Sequence, residues 1–556
     1  MTEKYLVGVD FGTLSGRAVV VRASDGQQVG TAVTEYKHGV MDRTLDAGDG
    51  QKLPPEFALH NPGDYVDVLG DAIPNAIKDA GIDKDDIVGV GIDATSATVF
   101  VTDEDGKPLS EYEEFKNEPH AYVKLWKHHG GQDQADRIIA LAEERGEEWL
   151  ERYGGILSSE MLFPKVLETF EKAPEVYEKA AYFVNLLDWI TWKLTGELSF
   201  AASDSGYKRM LTDGEYPSKE FNEALAPGFG DVFETKMNAP IKQLGEKVGG
   251  VTEEMAELTG LPAGVPVAAG NIDAHVVVAG ANAVKPGQMT AIIGTSGCYI
   301  INNEDYKPVP GVFGNVEGGA VPKLWGIEGG QTAVGDVFAW FERNGVPESY
   351  EKKAREAGKS ILDYLMDRAF EQQIGEHGLV ALDWFNGNRS ILSDARLSGG
   401  IIGLTLQTTP DEIYRALMEA TVFGIRVIIE NFEEHGVPVT EIVAAGGLLK
   451  NEHFMQLLAD ITRRTVSISE AEQTGALGSA IFGSVAAGVY DDVYEAAEKM
   501  AQVKEKAYVP NEEASAKYDE LFAIYKQLHD YFGREETGLM YKLKDIRAKA
   551  FEESHK

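Results

Sequence analysis

Three aspartates each close a short apolar run: Asp10 in YLVGVD, Asp93 in IVGVGID and Asp273 in VPVAAGNID. A carboxylate at the carboxyl end of a strand stands where open α/β sheets collect their ligands. The surroundings of Asp10 are rich in donors. In VGVDFGTLSGRAVVV (residues 7–21) two β-branched runs flank Gly12–Gly16, a pattern of two strands and a tight connection. That is a hairpin rather than a strand-to-helix turn, and neither a GxGxxG nor a GxxxxGK[ST] loop is present. A hairpin tip can offer backbone N–H groups to an anion. Thr13 and Ser15 add hydroxyls, Arg17 adds a guanidinium fork, and Asp10 suits Mg²⁺, held directly or through water. The plain alternative is an exposed turn whose glycines serve geometry alone. TAIIGTSGCYIINN (residues 290–303) repeats the design, with Gly294, Thr295, Ser296 and Gly297 between two strands. Two such hairpins far apart imply two related α/β halves holding one nucleotide between them.

The chemistry these residues allow is transfer of a phosphoryl group to an alcohol. A hydroxyl attacks well only when a carboxylate accepts its proton as attack begins; the rest of phosphoryl transfer is alignment and charge neutralisation. Asp273 is the candidate base, and a helix N-cap ahead of AHVVVAG is its structural alternative. Asp10 and Asp93 suit Mg²⁺ better than the base role. Lys208 can donate to a sugar hydroxyl or carbonyl, or be a surface lysine in SDSGYKRMLTD (203–213), which reads as a polar loop. Glu328, in a glycine-rich stretch that reads as a loop, can accept from a hydroxyl or be a turn carboxylate. Gly446 and Gly447 follow the strand EIVAA and carry no Cβ to block a flat ligand. Cys298 reads as a small strand hydrophobe, with no histidine near it in sequence.

The elements that must position these groups follow from periodicity. A helix is expected over about 64–80 and a strand over 87–95 that delivers Asp93 to Thr95, Ser96 and Ala97. Residues 133–151 have helical spacing with an acidic face, and 161–196 read as two helices ending near Gly196, with Trp189 and Trp192 filling a core. A long amphipathic helix is expected over 411–436, then strand, glycine turn and helix over 441–466. Tight helix packing alone would explain the glycines of TGALGSAIFGSVAAG. Beyond about 490 the chain is charged and helical, with an apolar stripe in KYDELFAIYKQLHDYF for docking on the body.

Bulk properties bound the answer. The 556 residues suffice for two or more domains. With 90 acidic against 52 basic residues the formal charge is −38, which argues against a nucleic-acid partner. Solubility or a saline cytoplasm would account for the excess. The single cysteine excludes an intrachain disulfide and a multi-cysteine zinc site. His128 and His129 are adjacent and read as surface residues, and no HExxH pair exists. The N-terminus lacks the pattern of a signal peptide and no run is long enough to span a membrane, so the cytoplasm is the expected location.

Together GVDFGTLSGRAVV, GVGIDATSAT, GNIDAHVVVAGA, IIGTSGCYI and VAAGGLLKNEHFMQLLADI resemble the FGGY carbohydrate kinases over roughly residues 4–490. The resemblance implies a two-domain α/β fold of the ribonuclease-H-like, actin-like ATPase type, with the active site in a cleft between domains. It implies an N-terminal domain over 1–260 with the sugar site and first phosphate hairpin, a nucleotide-binding domain over 261–490, and a helical extension over 491–556. Within the family, YKHGVMD, LDWITWKLTGE and SGYKRM resemble the members that phosphorylate L-ribulose at O5 with MgATP in arabinose breakdown. It further implies Asp273 as general base and Ser96, Ala97, Lys208, Asp273 and Glu328 around the sugar. Asp10 and the Gly12–Thr13 turn match the first phosphate motif, and Gly294, Thr295 and Ser296 the second. Gly446 and Gly447 match the adenosine motif, with Asn451 near the purine. D-Ribulose, xylulose and pentitols are alternative substrates. A non-catalytic nucleotide-binding protein or an ATP-driven assembly factor on the same scaffold are alternative functions. The terminal stripe serves either intrachain packing or a homodimer contact.

Overall fold

The computed structural model describes residues 3–447, 451–504, 507–534 and 538–554. Its two principal sheets share one plan. In the first, strands Tyr5–Phe11, Ser15–Arg22 and Gln28–Glu35 form an antiparallel meander, and Ile87–Ala94 adds parallel to the first of them. Pro266–Ala268 and Asn271–Ile272 then pair parallel with Ile87–Ala94, and Lys247–Gly250 closes the edge of this seven-stranded sheet. In the second, Gln288–Ile293, Gly297–Asn303 and Trp325–Gln331 form the meander, and Glu441–Ala445 and Thr465–Ile468 extend it in parallel. Both expected hairpins are therefore present, one at the head of each sheet.

The first sheet reaches Ile272, so a domain boundary at 260 falls inside it. A second departure lies at the other end of the chain. Helix Thr474–Ala486 packs against strands Tyr5–Phe11 and Ile87–Ala94, and crosses helix Asp273–Gly280 at close range. Glycines set the distance. A Cβ at Gly8 would lie 1.9 Å from the Ala476 carbonyl oxygen, at Gly91 1.7 Å from that of Ser479, and at Gly478 2.1 Å from that of Val276. Gly16 lies against Val68. The glycines near Asp10 thus divide their work: Gly8 and Gly16 admit neighbours, and Gly12 sits in the turn itself, its N–H bonded to the Ser15 carbonyl at 3.0 Å.

Several local expectations are corrected. Residues 161–196 form helices Leu162–Lys172, Pro174–Lys179 and Leu186–Thr195 with strand Tyr182–Asn185 between them, because Pro174 cannot continue the first helix. Residues 133–151 divide at Gly146, where helix Gln132–Arg145 ends in a left-handed cap and a 3₁₀ turn follows. The segment 203–213 is not an open loop: Ala202–Lys208 is helical and Arg209 is wholly buried, donating to Asp188 Oδ2 at 3.1 Å and the Phe183 carbonyl at 2.9 Å. His128 is not on the surface; its Nε2 lies 2.9 Å from Glu168 Oε2 in the first core. Trp189 does fill that core, stacked on Phe100 at 4.4 Å. The terminal stripe packs within the chain: helix Glu512–Gly533 buries Tyr518, Phe522 and Tyr525 in the second core, the latter two against Phe423, and Arg426 and Arg463 each bond one oxygen of Asp519. Among the described residues no helix is long and apolar enough to cross a membrane.

Candidate active site

Asp273 is placed by a change of element. Strand Asn271–Ile272 ends one residue before it, and helix Asp273–Gly280 begins at it, with Ile272 in the N-cap position. The Asp273 carboxylate accepts the N–H of Ala274 at 2.7 Å, so the capping alternative is realised only by this local bond. Its other face looks into a cavity of about 290 Å³ between the two sheets. Ser96 and Ala97 line that cavity at the end of strand Ile87–Ala94, Lys208 at the end of helix Ala202–Lys208, and Glu328 beside Lys208. Gly294, Thr295 and Ser296 line it from the second hairpin. All five residues expected around the sugar and the tip of the second hairpin therefore share a single cavity.

Glu328 lies on strand Trp325–Gln331 rather than in a loop. The glycines around it reflect close neighbours: a Cβ at Gly326 would meet the Tyr207 hydroxyl at 2.6 Å, and one at Gly330 the Gly297 carbonyl at 2.9 Å. Lys208 is buried, with Nζ 3.7 Å from Glu328 Oε2, and His275 Nε2 lies 3.0 Å from the same oxygen. Burial alone would raise the Glu328 carboxyl, but the Lys208 charge, the His275 hydrogen bond and charge, and the Arg389 charge outweigh it and hold it down at about 2. Asp273 goes the other way. Burial, then the charge of Asp10, push it up to about 7, with Ala274 N–H and Lys208 opposing. Two carboxylates on one cavity are thus set at opposite ends of the range, one a permanent acceptor and one able to take a proton near neutrality.

Asp10 and Asp93 face each other across adjacent parallel strands. Asp93 is fully buried; its Oδ2 accepts from Ser479 Oγ at 2.5 Å, and its Oδ1 has no hydrogen-bond partner. Burial and the neighbouring Asp10 charge push Asp93 well up, and burial raises Asp10 against the Arg17 charge. A paired set of hard oxygens with an unsatisfied lone pair fits a small divalent cation held partly through water. Among the described residues no group of three or more His, Cys, Asp or Glu side chains is gathered for a metal, so such an ion would draw most of its ligands from solvent and phosphate.

The remaining expected residues lie around the cavity rather than in it. Thr13 Oγ1 accepts from the indole N–H of Trp126 at 3.1 Å, and Trp126 lines the cavity. Ser15 opens the second strand, paired with Glu35. Arg17 is spent within the chain, donating to Gln473 Oε1 at 2.8 Å and lying 3.9 Å from Asp10. Gly446 has φ +108 and a Cβ there would meet the Ile293 carbonyl at 2.6 Å, so this turn lies against the second hairpin. Gly447 faces open space; residues 448–450 of the same motif lie outside the described residues. Asn451 caps helix Glu452–Thr462 through Phe454 N–H at 2.9 Å, so that carboxamide oxygen is occupied. Cys298 does line the cavity, and burial pushes its thiol well up, away from nucleophilic character.

Sequence reasoning missed several wall residues, His275, Trp126 and Arg389 among them. His275 had a signal, being the one polar side chain in the apolar helix AHVVVAG. Trp126 and Arg389 had none, since each comes from a stretch without periodicity and reaches the cavity only through tertiary structure.

The two matched sheets, each led by a hairpin and parted by a cleft carrying a titratable carboxylate, define a two-domain α/β fold of the actin-like, ribonuclease-H-like ATPase type. Residues 5–280 match the N-terminal domain and residues 289–487 the C-terminal domain of the FGGY family of carbohydrate kinases. The chain belongs to that family. It is 49% identical over 547 residues to a ribulokinase of Mycolicibacterium smegmatis, covering 98% of this chain and 97% of the relative. It is 47% identical over 540 residues to a ribulokinase of Bacillus licheniformis, covering 96% and 98%. In fold it is similar to a gluconate kinase of Lactobacillus acidophilus, with TM-score 0.80 at 20% identity, covering 96% of this chain and 99% of that one.

Proposed function

We propose that this chain is an ATP-dependent pentulose kinase that transfers the terminal phosphoryl group of MgATP to O5 of L-ribulose. The observation that carries the reading is the shared cavity: a carboxylate tuned to about 7 stands between a polar sugar-sized wall and a phosphate hairpin. Near-full-length similarity to ribulokinases supports the choice of sugar.

In this reading Lys208 and Glu328 orient the ketopentose, the lysine donating and the carboxylate accepting, while Ser96 and Ala97 form the facing wall. Asp273 accepts the proton of the attacking hydroxyl as its oxygen bonds to phosphorus. The bond from that phosphorus to the bridging oxygen of the nucleotide breaks, and ADP leaves with the electron pair. The tips of the two hairpins, around Thr13 and Thr295–Ser296, receive phosphate oxygens, and the turns at Gly446–Gly447 and Asn451 receive the adenosine. Asp10 and Asp93 would hold Mg²⁺, which neutralises phosphate charge when bound. Asp273 must be ionised to work, and Glu328, kept anionic, has its charge offset by Lys208.

The test is sugar-dependent ADP release with L-ribulose, D-ribulose, D-xylulose and ribitol. L-Ribulose is expected to give the highest kcat/KM and a 5-phosphate product. A marked preference for xylulose would reassign the sugar within the family, and ATP hydrolysis indifferent to every sugar would overturn the reading.

A further inference from the structure

Lys165 is wholly buried, yet it does not join the ion pairs of the neighbouring core. Its neighbour Lys124 donates to Glu168 Oε2 and Thr169 Oγ1, both at 2.7 Å, as a buried ammonium usually does. Lys165 instead donates to two backbone carbonyls, Ala97 at 2.7 Å and Leu125 at 2.5 Å. It reaches them from the first turn of helix Leu162–Lys172, whose leading residues Glu160 and Met161 line the cavity.

Ala97 belongs to the cavity wall, and Leu125 adjoins it in the chain. Ala97 holds φ +46, a left-handed conformation that a residue with a Cβ disfavours. The Lys165 amine bonds the carbonyl of this residue and so restrains the orientation of its peptide. Leu125 immediately precedes Trp126, whose ring lines the cavity and whose indole N–H reaches Thr13 of the first hairpin. One amine thus joins the Ser96–Ala97 wall to the Trp126 wall. Burial draws its pKa well below the ordinary lysine value. A neutral amine with two N–H groups is sufficient for two carbonyls, so the contact survives loss of the charge.

We propose that Lys165 is a positioning residue for the sugar: without touching substrate, it fixes the spacing and conformation of the two wall segments on which the pentulose rests. The proposal deepens the pentulose-kinase reading and rests on it. A lysine is suited to this place because it spans the distance from its helix on a long stem and keeps at least two N–H donors with or without its charge. A methionine matches the stem and removes the donors.

The experiment compares full-length wild type, Lys165→Met, Ala97→Gly and the double variant, reading KM for L-ribulose, KM for MgATP and kcat. Lys165→Met is expected to raise the L-ribulose KM at least about tenfold, a difference of roughly 1.4 kcal/mol in binding, and to leave the MgATP KM within about twofold. Glycine takes a positive φ without strain, so Ala97→Gly in the Lys165→Met background should recover several-fold in L-ribulose KM, more than the same change gains in wild type. Should Lys165→Met fail to fold, Lys165→Gln keeps an amide donor and is expected to fall between wild type and the full effect. A folded Lys165→Met or Lys165→Gln with the L-ribulose KM of wild type overturns the proposal, as do strictly independent effects of the 165 and 97 changes. Wild type inactive on L-ribulose would remove the underlying reading; wild type active beside an unaffected Lys165 variant removes only the role of Lys165.

Discussion

Replacing Asp273 by Asn should abolish turnover and stabilise the fold, and the stabilisation should depend on pH. The folded carboxyl titrates at about 7 against an ordinary 3.8. A carboxyl raised by folding binds its proton more tightly in the native state, so wild-type stability is greatest below 3.8 and falls as pH climbs through the interval, levelling off above about 7. The interval is about three pH units at roughly 1.4 kcal/mol each, so at most about 4 kcal/mol is lost by pH 8. Asn resembles the protonated acid in shape and loses none of it. The gap between variant and wild type should therefore widen by up to about 3 kcal/mol from pH 5 to pH 8, two of those units lying below the midpoint. For a chain of this length that is a difference in unfolding midpoint of about 2–3 °C, measurable by scanning calorimetry at the two pH values. Turnover with L-ribulose should fall by at least about 10²-fold in the same variant. A gap in stability that does not change between pH 5 and pH 8 would refute the account of a carboxylate raised by burial and by Asp10. Wild-type turnover in the variant would remove the base from Asp273 altogether.

The same ionisation should show in kinetics: kcat/KM for L-ribulose should drop about tenfold per pH unit below about 7 and be level above it, and a flat profile from pH 5 to pH 8 would contradict the role of Asp273. Because both Asp10 and Asp93 are raised, protons compete with a cation there; Mg²⁺ affinity in the presence of ADP, titrated calorimetrically, should weaken from pH 8 to pH 6, and Asp10→Asn should weaken it at both. Gly91→Ala would bring a Cβ to 1.7 Å from the Ser479 backbone oxygen and must lift helix Thr474–Ala486 off the first sheet, loosening the Ser479–Asp93 bond as well; a loss of about 3 kcal/mol in urea unfolding is expected, and a loss under about 1 kcal/mol would show that the contact is softer than its geometry.

What could be read from the sequence was whatever has a local cause. The hairpins were legible because β-branched runs around a glycine turn have few alternative conformations, and their repetition exposed the two halves. The terminal helix was legible because a stripe of aromatic residues must be buried somewhere, and the second core received it. The domain edge was not legible, because strands at 266–268 and 271–272 join a sheet begun at residue 5 through pairings that leave no mark on their own composition. The placement of helix Thr474–Ala486 was hidden for a related reason: its small residues announce close packing, but the partner glycines, Gly8 and Gly91, lie more than 380 residues away inside runs that read only as strands.

The site divides along the same line. Asp273, Gly294 and Thr295 lie where an element ends, and ends of strands are visible as breaks in apolar pattern. Lys165 and Arg389 are invisible by the opposite logic: in an acidic chain each is read as a solvated cation, and nothing local says that its head is turned inward; Lys208 was a candidate, but the polar stretch around it gave no sign of its burial. Yet the cavity requires them. Asp10, Asp93, Asp273 and Glu328 crowd carboxylates into a space that must also admit a polyphosphate, and a net charge of −38 gives no help from the surrounding surface. Neutralisation has to be supplied at short range, by Lys208 and Arg389 at Glu328 and by Arg17 at Asp10, with the Mg²⁺ of the proposed reaction completing it. The few cations of this protein are informative for where they are buried, a property that only the folded chain reveals.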